Sequence, residues 1–379
     1  MTWRHRRATD PLIHTLGAFR RRHPWIDVEW DARPLSGFEF APVGELAERC
    51  DLIVLDHPFA GAIAAERSLL PLDDMVADVP AGAFVGPSLE TYRYAGRLWA
   101  LPVDAACQVA VNRPDLLAPE DGPVPESWSE MLALGARAAR HGRKLAVAFA
   151  GVHALMTFFT LCANLGRPCA IDPAEPFADP ASAAEALDAM RRLLGLCPRE
   201  VLDWSSIALH DAMAARDDLV YCPAVYCYAS YAESDIEHPL RFTDLPGVRG
   251  SSPAGSTIGG TGVGISARTR HPQAARAYVR FLVEAETQLL FAAHHGQPAR
   301  IEAWRDPAID ARFGHCFSRT IRTMEQTWIR PRYAGYLAFQ AEGGRLVEAH
   351  LRGDIDERSL LDRLAALHAR RGEPTPSHS

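Results

Sequence analysis

Apolar and polar positions alternate over Ile26-Asp27-Val28-Glu29-Trp30, the period-two pattern of a half-buried strand. Upstream, Leu12, Leu16 and Phe19 share one face at helical spacing, which predicts a helix from about Asp10-Pro11 to Arg22 behind a short extended piece over residues 2–5. Asp10 suits the cap of that helix and Pro11 its first turn. Asp51-Leu52-Ile53-Val54-Leu55-Asp56 is a continuous apolar run closed by a carboxylate, the pattern of a buried parallel strand, and a short helix over 43–49 leads into it. Strand, helix and strand in this order predict an open α/β sheet.

Farther along, residues 94–102 read as a hairpin turning on Gly96, and Gln108 to Asn112 as a strand. A turn at 123–128 leads into a helix over 129–141. Residues 144–196 are mainly helical with a break near 166–180, and Leu219 to Cys222 form another strand. Residues 242–253 are a loop crossing back, and Gly259-Gly260-Thr261-Gly262-Val263-Gly264-Ile265-Ser266 is a glycine-rich turn running into a strand. A strong helix over 274–294 follows, then a helical stretch over 313–368 and a disordered tail at 369–379.

Length changes this picture: 379 residues exceed one hydrophobic core, so two lobes are expected, residues 1–110 with 257–305 and residues 111–256 with 306–368. A net charge of −7 leaves no electrostatic footprint for nucleic acid or an anionic membrane. The N-terminus is charged without an apolar stretch behind it, so as written it predicts a cytoplasmic protein, or a periplasmic or extracellular one from which a leader has been removed. Eight cysteines form no CxxC pair and read as reduced, mostly buried thiols, which favours the cytosol. Metal-type spacings, HExxH, GxSxG and Walker A sequences are absent, and neither a metal nor a cofactor is expected.

Phe19 to Val28, Asp51 to Asp56 followed by Leu69-Leu70-Pro71-Leu72-Asp73, Gly96 to Pro102, Asn112 to Leu117, Pro125-Glu126-Ser127-Trp128 and Gly259 to Ser266 together resemble the landmarks of extracellular solute-binding protein family 1, the carbohydrate-type receptors of ABC importers. The resemblance spans about residues 10–365. It implies a two-lobed periplasmic-binding-protein-like α/β fold of type II, with the ligand cleft between lobes. It also implies capture of a small polar molecule such as a sugar, sugar acid or other small anion, a monomer, and an ABC permease as partner if the chain is exported.

Candidate ligand-binding residues sit where predicted strands end. His5, Arg7 and Asp10 surround the first helix start, where a positive cluster could hold a carboxylate or phosphate, or could be a solvated basic terminus. Asp56 could accept ligand hydroxyls and His57 donate, or Asp56 could cap the next helix. Asp104 and Cys107 follow at the next crossover, the thiol serving as a contact or as a small buried hydrophobe. Tyr226 and Tyr231, in the densest aromatic segment, offer flat faces to a ligand or form the rim of a strand core. Gly259, Gly260, Thr261 and Gly262 could bring backbone N–H groups to a ligand or make a tight hinge turn. Arg330 and Tyr333, in the late arginine-proline segment, complete the set. Two alternatives to a binding protein stay open: a cytosolic enzyme using His57, Asp56 and Cys107, and an intracellular ligand sensor.

Overall fold

The computed structural model describes residues 1–33, 41–117 and 122–370; the expected tail from residue 371 onward lies outside the described residues. The chain separates into two units. Met1–Ala106, Gly259–Ala311 and Arg332–Leu337 form the first, and Cys107–Ile258, Arg312–Pro331 and the residues from Ala338 onward form the second.

In the first unit, the helix Arg6–Arg22 begins four residues before the sequence-based start. His5 is its cap, the imidazole Nδ1 accepting the Arg7 N–H at 3.1 Å. Asp10 therefore lies in the second turn rather than at the cap, and Pro11 sits inside the helix. Leu12 and Phe19 are buried, and the Phe19 ring meets Tyr278 edge-on at 4.8 Å, seating the helix on the helix Pro272–Leu282. The expected strand at 26–30 joins no ladder among the described residues, although its exposure still alternates with period two. The short strand falls at Ala32–Arg33 instead, parallel to Thr2–Trp3.

The central apolar run becomes the strand Leu52–Leu55, but its ladder is antiparallel: Leu55 faces Gly262 and Leu52 faces Ile265. Ile53, Val54 and Leu55 are buried on both faces, and burial on both faces gives a continuous apolar run whichever way the partner runs. The hairpin Arg93–Tyr94 with Arg97–Leu98 turns through Ala95 and Gly96, both left-handed, as a two-residue turn requires. The expected helix over 274–294 is two helices, Pro272–Leu282 and Ala285–Ala293, separated at Val283-Glu284.

The glycine-rich segment is a strand, Ile258–Ile265, rather than a turn before one. Its glycines serve close packing. A Cβ on Gly262 would fall 2.7 Å from the Tyr92 ring, and one on Gly264 would fall 2.5 Å from Leu69. At Gly260, where φ is +97°, it would meet the Asp104 carbonyl at 2.4 Å.

In the second unit, residues 108–112 are the latter part of a longer strand, Leu101–Asn112. They pair antiparallel with Leu219–Tyr226, Gln108 facing Tyr226 and Asn112 facing Tyr221. That strand outruns its expected end at Cys222 because Pro223 is accommodated where the register shifts, a place a residue without an N–H can occupy. Arg241–Thr243 and Lys144–Leu145 complete the sheet. Around it lie well-capped helices. Trp128–Ala139 starts from a Ser127/Glu130 capping box, Pro180–Leu194 from Asp179 and Ser206–Ala215 from Ser205. The buried helix Val152–Asn164 follows Gly151, and the helical tail resolves into Cys316–Glu325, Tyr336–Arg352, which enters this unit at Ala338, and Glu357–Ala369.

Candidate functional site

At the second residue of the first helix, Arg7 turns inward and meets Asp104 in a two-pronged ion pair, Nε donating to Oδ2 at 2.7 Å and Nη2 to Oδ1 at 2.5 Å. Side-chain exposure is 5% for Arg7 and 1% for Asp104, so the pair is held away from water. Burial pushes the Asp104 carboxyl upward, the Arg7 guanidinium pulls it back, and nearby Asp56 pushes it up again. The Thr261 backbone N–H supports the ionised form.

Asp56 closes the strand Leu52–Leu55 and caps the single turn His57–Phe59, its Oδ1 accepting the His57 N–H at 2.8 Å. The His57 ring returns to the same oxygen, Nδ1 lying 2.9 Å from it. His57 is fully buried and meets the Tyr92 ring edge-on, whereas Asp56 keeps 26% of its side chain in solvent. Tyr92 is anchored by its hydroxyl donating to the Leu55 carbonyl at 3.3 Å. The capping role weighed for Asp56 is thus present, with part of the carboxylate still exposed to accept from a ligand.

These residues form one polar group in the first unit: Arg7, Asp56, His57, Asp104 and Thr261, with Gly260 and Gly262 letting strand and ring close in. Half-buried His5 and Asp10 sit beside the helix start, next to Arg6, whose Nη2 donates to His295 Nδ1 at 2.6 Å. Gly259 is half-buried at the head of the glycine strand. Tyr333 belongs to the same unit. Its stretch passes so close over Gly61 that a Cβ there would stand 2.0 Å from the Arg332 carbonyl oxygen, and Arg332 Nη1 donates to the carbonyls of Glu90, Thr91 and Arg93. Burial pushes the Tyr333 hydroxyl up to about 12, so it acts as a neutral donor and acceptor.

The remaining candidates lie in the second unit. Cys107 is 2% exposed and burial pushes its thiol well above the ordinary range, opposite to the state of an activated nucleophile. Tyr226 is half-buried at the end of its strand. The Tyr231 hydroxyl donates to Asp211 Oδ1 at 2.5 Å and its ring stacks on His210. Arg330, 4% exposed, donates to Gln340 Oε1 at 2.8 Å and is part of the packing. Among the described residues no group of three or more metal-capable side chains is gathered.

Tyr92 and Gln297 were missed from sequence. Gln297 donates through Nε2 to the Ala105 carbonyl at 2.9 Å and so braces the strand that carries Asp104. Nothing local marks either residue, because their partners lie some 40 to 190 positions away.

The family model for bacterial extracellular solute-binding proteins matches residues 44–307. Among solved structures, the maltose-bound protein MalE3 of T. maritima is 20% identical with a TM-score of 0.78, covering 94% of this chain and 95% of that one. An ABC-transporter solute-binding protein of Agrobacterium radiobacter in complex with ribitol is 18% identical at a TM-score of 0.78, covering 96% of each chain. One from Thermotoga lettingae, bound with α-D-tagatose, is 15% identical at 0.80, covering 95% of each. At these identities the likeness is one of fold, that of two-lobed solute-binding proteins.

Proposed function

Since the chain belongs to the bacterial extracellular solute-binding protein family, we propose that the solute it captures is a neutral polyhydroxylated molecule, a sugar or polyol, held in part by the polar group around Asp56. The pairing of Arg7 with Asp104 carries this reading. The buried cation that could have drawn a carboxylate or phosphate is already committed to a carboxylate. An anionic ligand would have to displace that partner, whereas a hydroxyl can donate to the exposed part of Asp56 without disturbing it. Maltose, ribitol and tagatose in the structural relatives are all neutral and rich in hydroxyls. The sugar-acid and anion expectation narrows accordingly.

Titration calorimetry with maltose, ribitol, tagatose, gluconate and galacturonate tests the proposal. Saturable binding of a neutral member, weakened about 10- to 100-fold in Asp56→Ala, is expected, the equivalent of one hydrogen bond to a charged group at ~1.5–3 kcal/mol. Preference for a sugar acid, or unchanged affinity in Asp56→Ala, overturns it. An ABC permease and a monomeric state are what this reading implies, and a lack of nucleic-acid affinity fits the net charge of −7. The family setting favours a place outside the cytoplasm, and among the described residues no helix is long and apolar enough to cross a membrane. The enzyme alternative draws no support from Cys107, whose thiol is buried and held protonated.

A further inference from the structure

We propose that Cys227 and Cys316 are a disulfide-forming pair that locks the second unit when the protein meets a disulfide-bearing oxidant. The two sulfurs lie 3.5 Å apart across 89 residues of chain. That is van der Waals contact, and a modest rotation of each side chain would cover the remaining distance to a bond of ~2.05 Å. Both residues are set by the fold. Cys227 follows the strand Leu219–Tyr226, and its N–H donates to the Cys107 carbonyl at 3.0 Å. Cys316 opens the helix Cys316–Glu325, and its N–H donates to the Phe313 carbonyl at 3.0 Å. Both belong to the same unit; Cys162 and Cys169 also interact through their side chains there, so the identity of the linked peptide, and not the thiol count alone, distinguishes the pair.

Access decides how the bond forms. Cys227 is 4% exposed and Cys316 1%, so the oxidant must act as the unit folds or when the first turn of the helix opens. That turn follows His315, a non-glycine residue held at φ +61°, a conformation that costs free energy and weakens the start of the helix. The Cys227 thiolate attacks one sulfur of glutathione disulfide and expels one glutathione thiolate. The Cys316 thiolate then attacks the Cys227 sulfur of the mixed disulfide and expels the second. Two electrons pass to the oxidant, and the two thiol protons end on solvent or on the released glutathione. Cys107 supplies a carbonyl to this arrangement, and burial holds its own thiol protonated, so it does not compete as the attacking group. Closing so long a loop constrains the unfolded chain and raises the melting temperature of the linked form.

The full chain is incubated with glutathione disulfide, both folded and during refolding from urea, then quenched with N-ethylmaleimide in denaturant and mapped as non-reduced peptides. Expected are a Cys227–Cys316 linked peptide, two fewer alkylated thiols than the eight of the reduced chain, and a melting temperature several degrees higher that falls back on adding dithiothreitol. Cys227→Ser and Cys316→Ser each abolish the link, whereas Cys107→Ser retains it, so a failure of one variant to fold does not decide the matter. Eight thiols alkylated under both regimes, or a link from Cys227 or Cys316 to any other cysteine, overturns the proposal.

Discussion

Arg7 and Asp104 are almost wholly withdrawn from water, and each is tolerated there because the other is present. Two buried charges cost several kcal/mol each in lost hydration, which a two-pronged contact offsets only while both partners remain. Asp104→Asn keeps the volume but leaves the guanidinium without its counter-charge, and the unfolding free energy measured in urea should fall by about 3–5 kcal/mol. The double replacement Arg7→Met with Asp104→Leu should cost less than that single change, because neither charge is then left buried alone. A loss under ~1 kcal/mol for Asp104→Asn contradicts the pairing. Sequence made both residues candidates from where strands end, but it offered a positive cluster awaiting an anion. The anion proved to be the protein's own, from a position 97 residues away.

At the scale of single elements, the glycine strand separates local from tertiary causes. Gly96 and Gly260 both have positive φ, but a Cβ on Gly96 meets nothing within 4 Å while one on Gly260 collides with the backbone of the neighbouring strand. Gly96→Ala should therefore cost only the left-handed backbone penalty, about 1–2 kcal/mol. Gly260→Ala should cost more than about 2 kcal/mol, since overpacking of roughly 1–3 kcal/mol is added. Equal losses in thermal unfolding would show that packing is not what selects Gly260. Glycines at 260, 262 and 264 look the same in sequence as those of a turn. What distinguishes them is Tyr92, Leu69 and the strand bearing Asp104, none of which is a sequence neighbour. The turn that leads into the helix after Ser127 and the hairpin at Gly96 were legible because their partners lie within three or four positions.

Acid stability is a property of the molecule as a whole, and the second unit holds one group that contributes to it within a defined window. His153 is mostly covered, its Nδ1 lies 3.2 Å from Ser206 Oγ, and burial lowers its pKa from 6.5 to about 4. The unfolded chain binds the proton more readily than the folded one between those values, so stability rises with pH across the window. The contribution is fully present above about 6.5 and is lost as pH falls toward 4. Because the side chain keeps some surface, a loss of about 1–2 kcal/mol between pH 7 and pH 5 is expected from this group. Urea titrations at the two pH values should show that loss in the wild type and a smaller one in His153→Gln; equal losses would assign the acid sensitivity to other groups.

Short-range periodicity and the order of landmarks along the chain were enough to read the family, the two-lobed α/β class and the apolar strand at 52–55, although the cap read at Asp10 fell instead to His5. It also marked the end of the central strand, where Asp56 and His57 stand. That Arg7 is neutralised by Asp104, that the glycines make room for a ring and a strand, and that Cys227 meets Cys316 emerges from the folded chain alone. Each of these depends on groups brought together across tens to hundreds of residues, and the energy of such a contact depends on distances that no local pattern encodes.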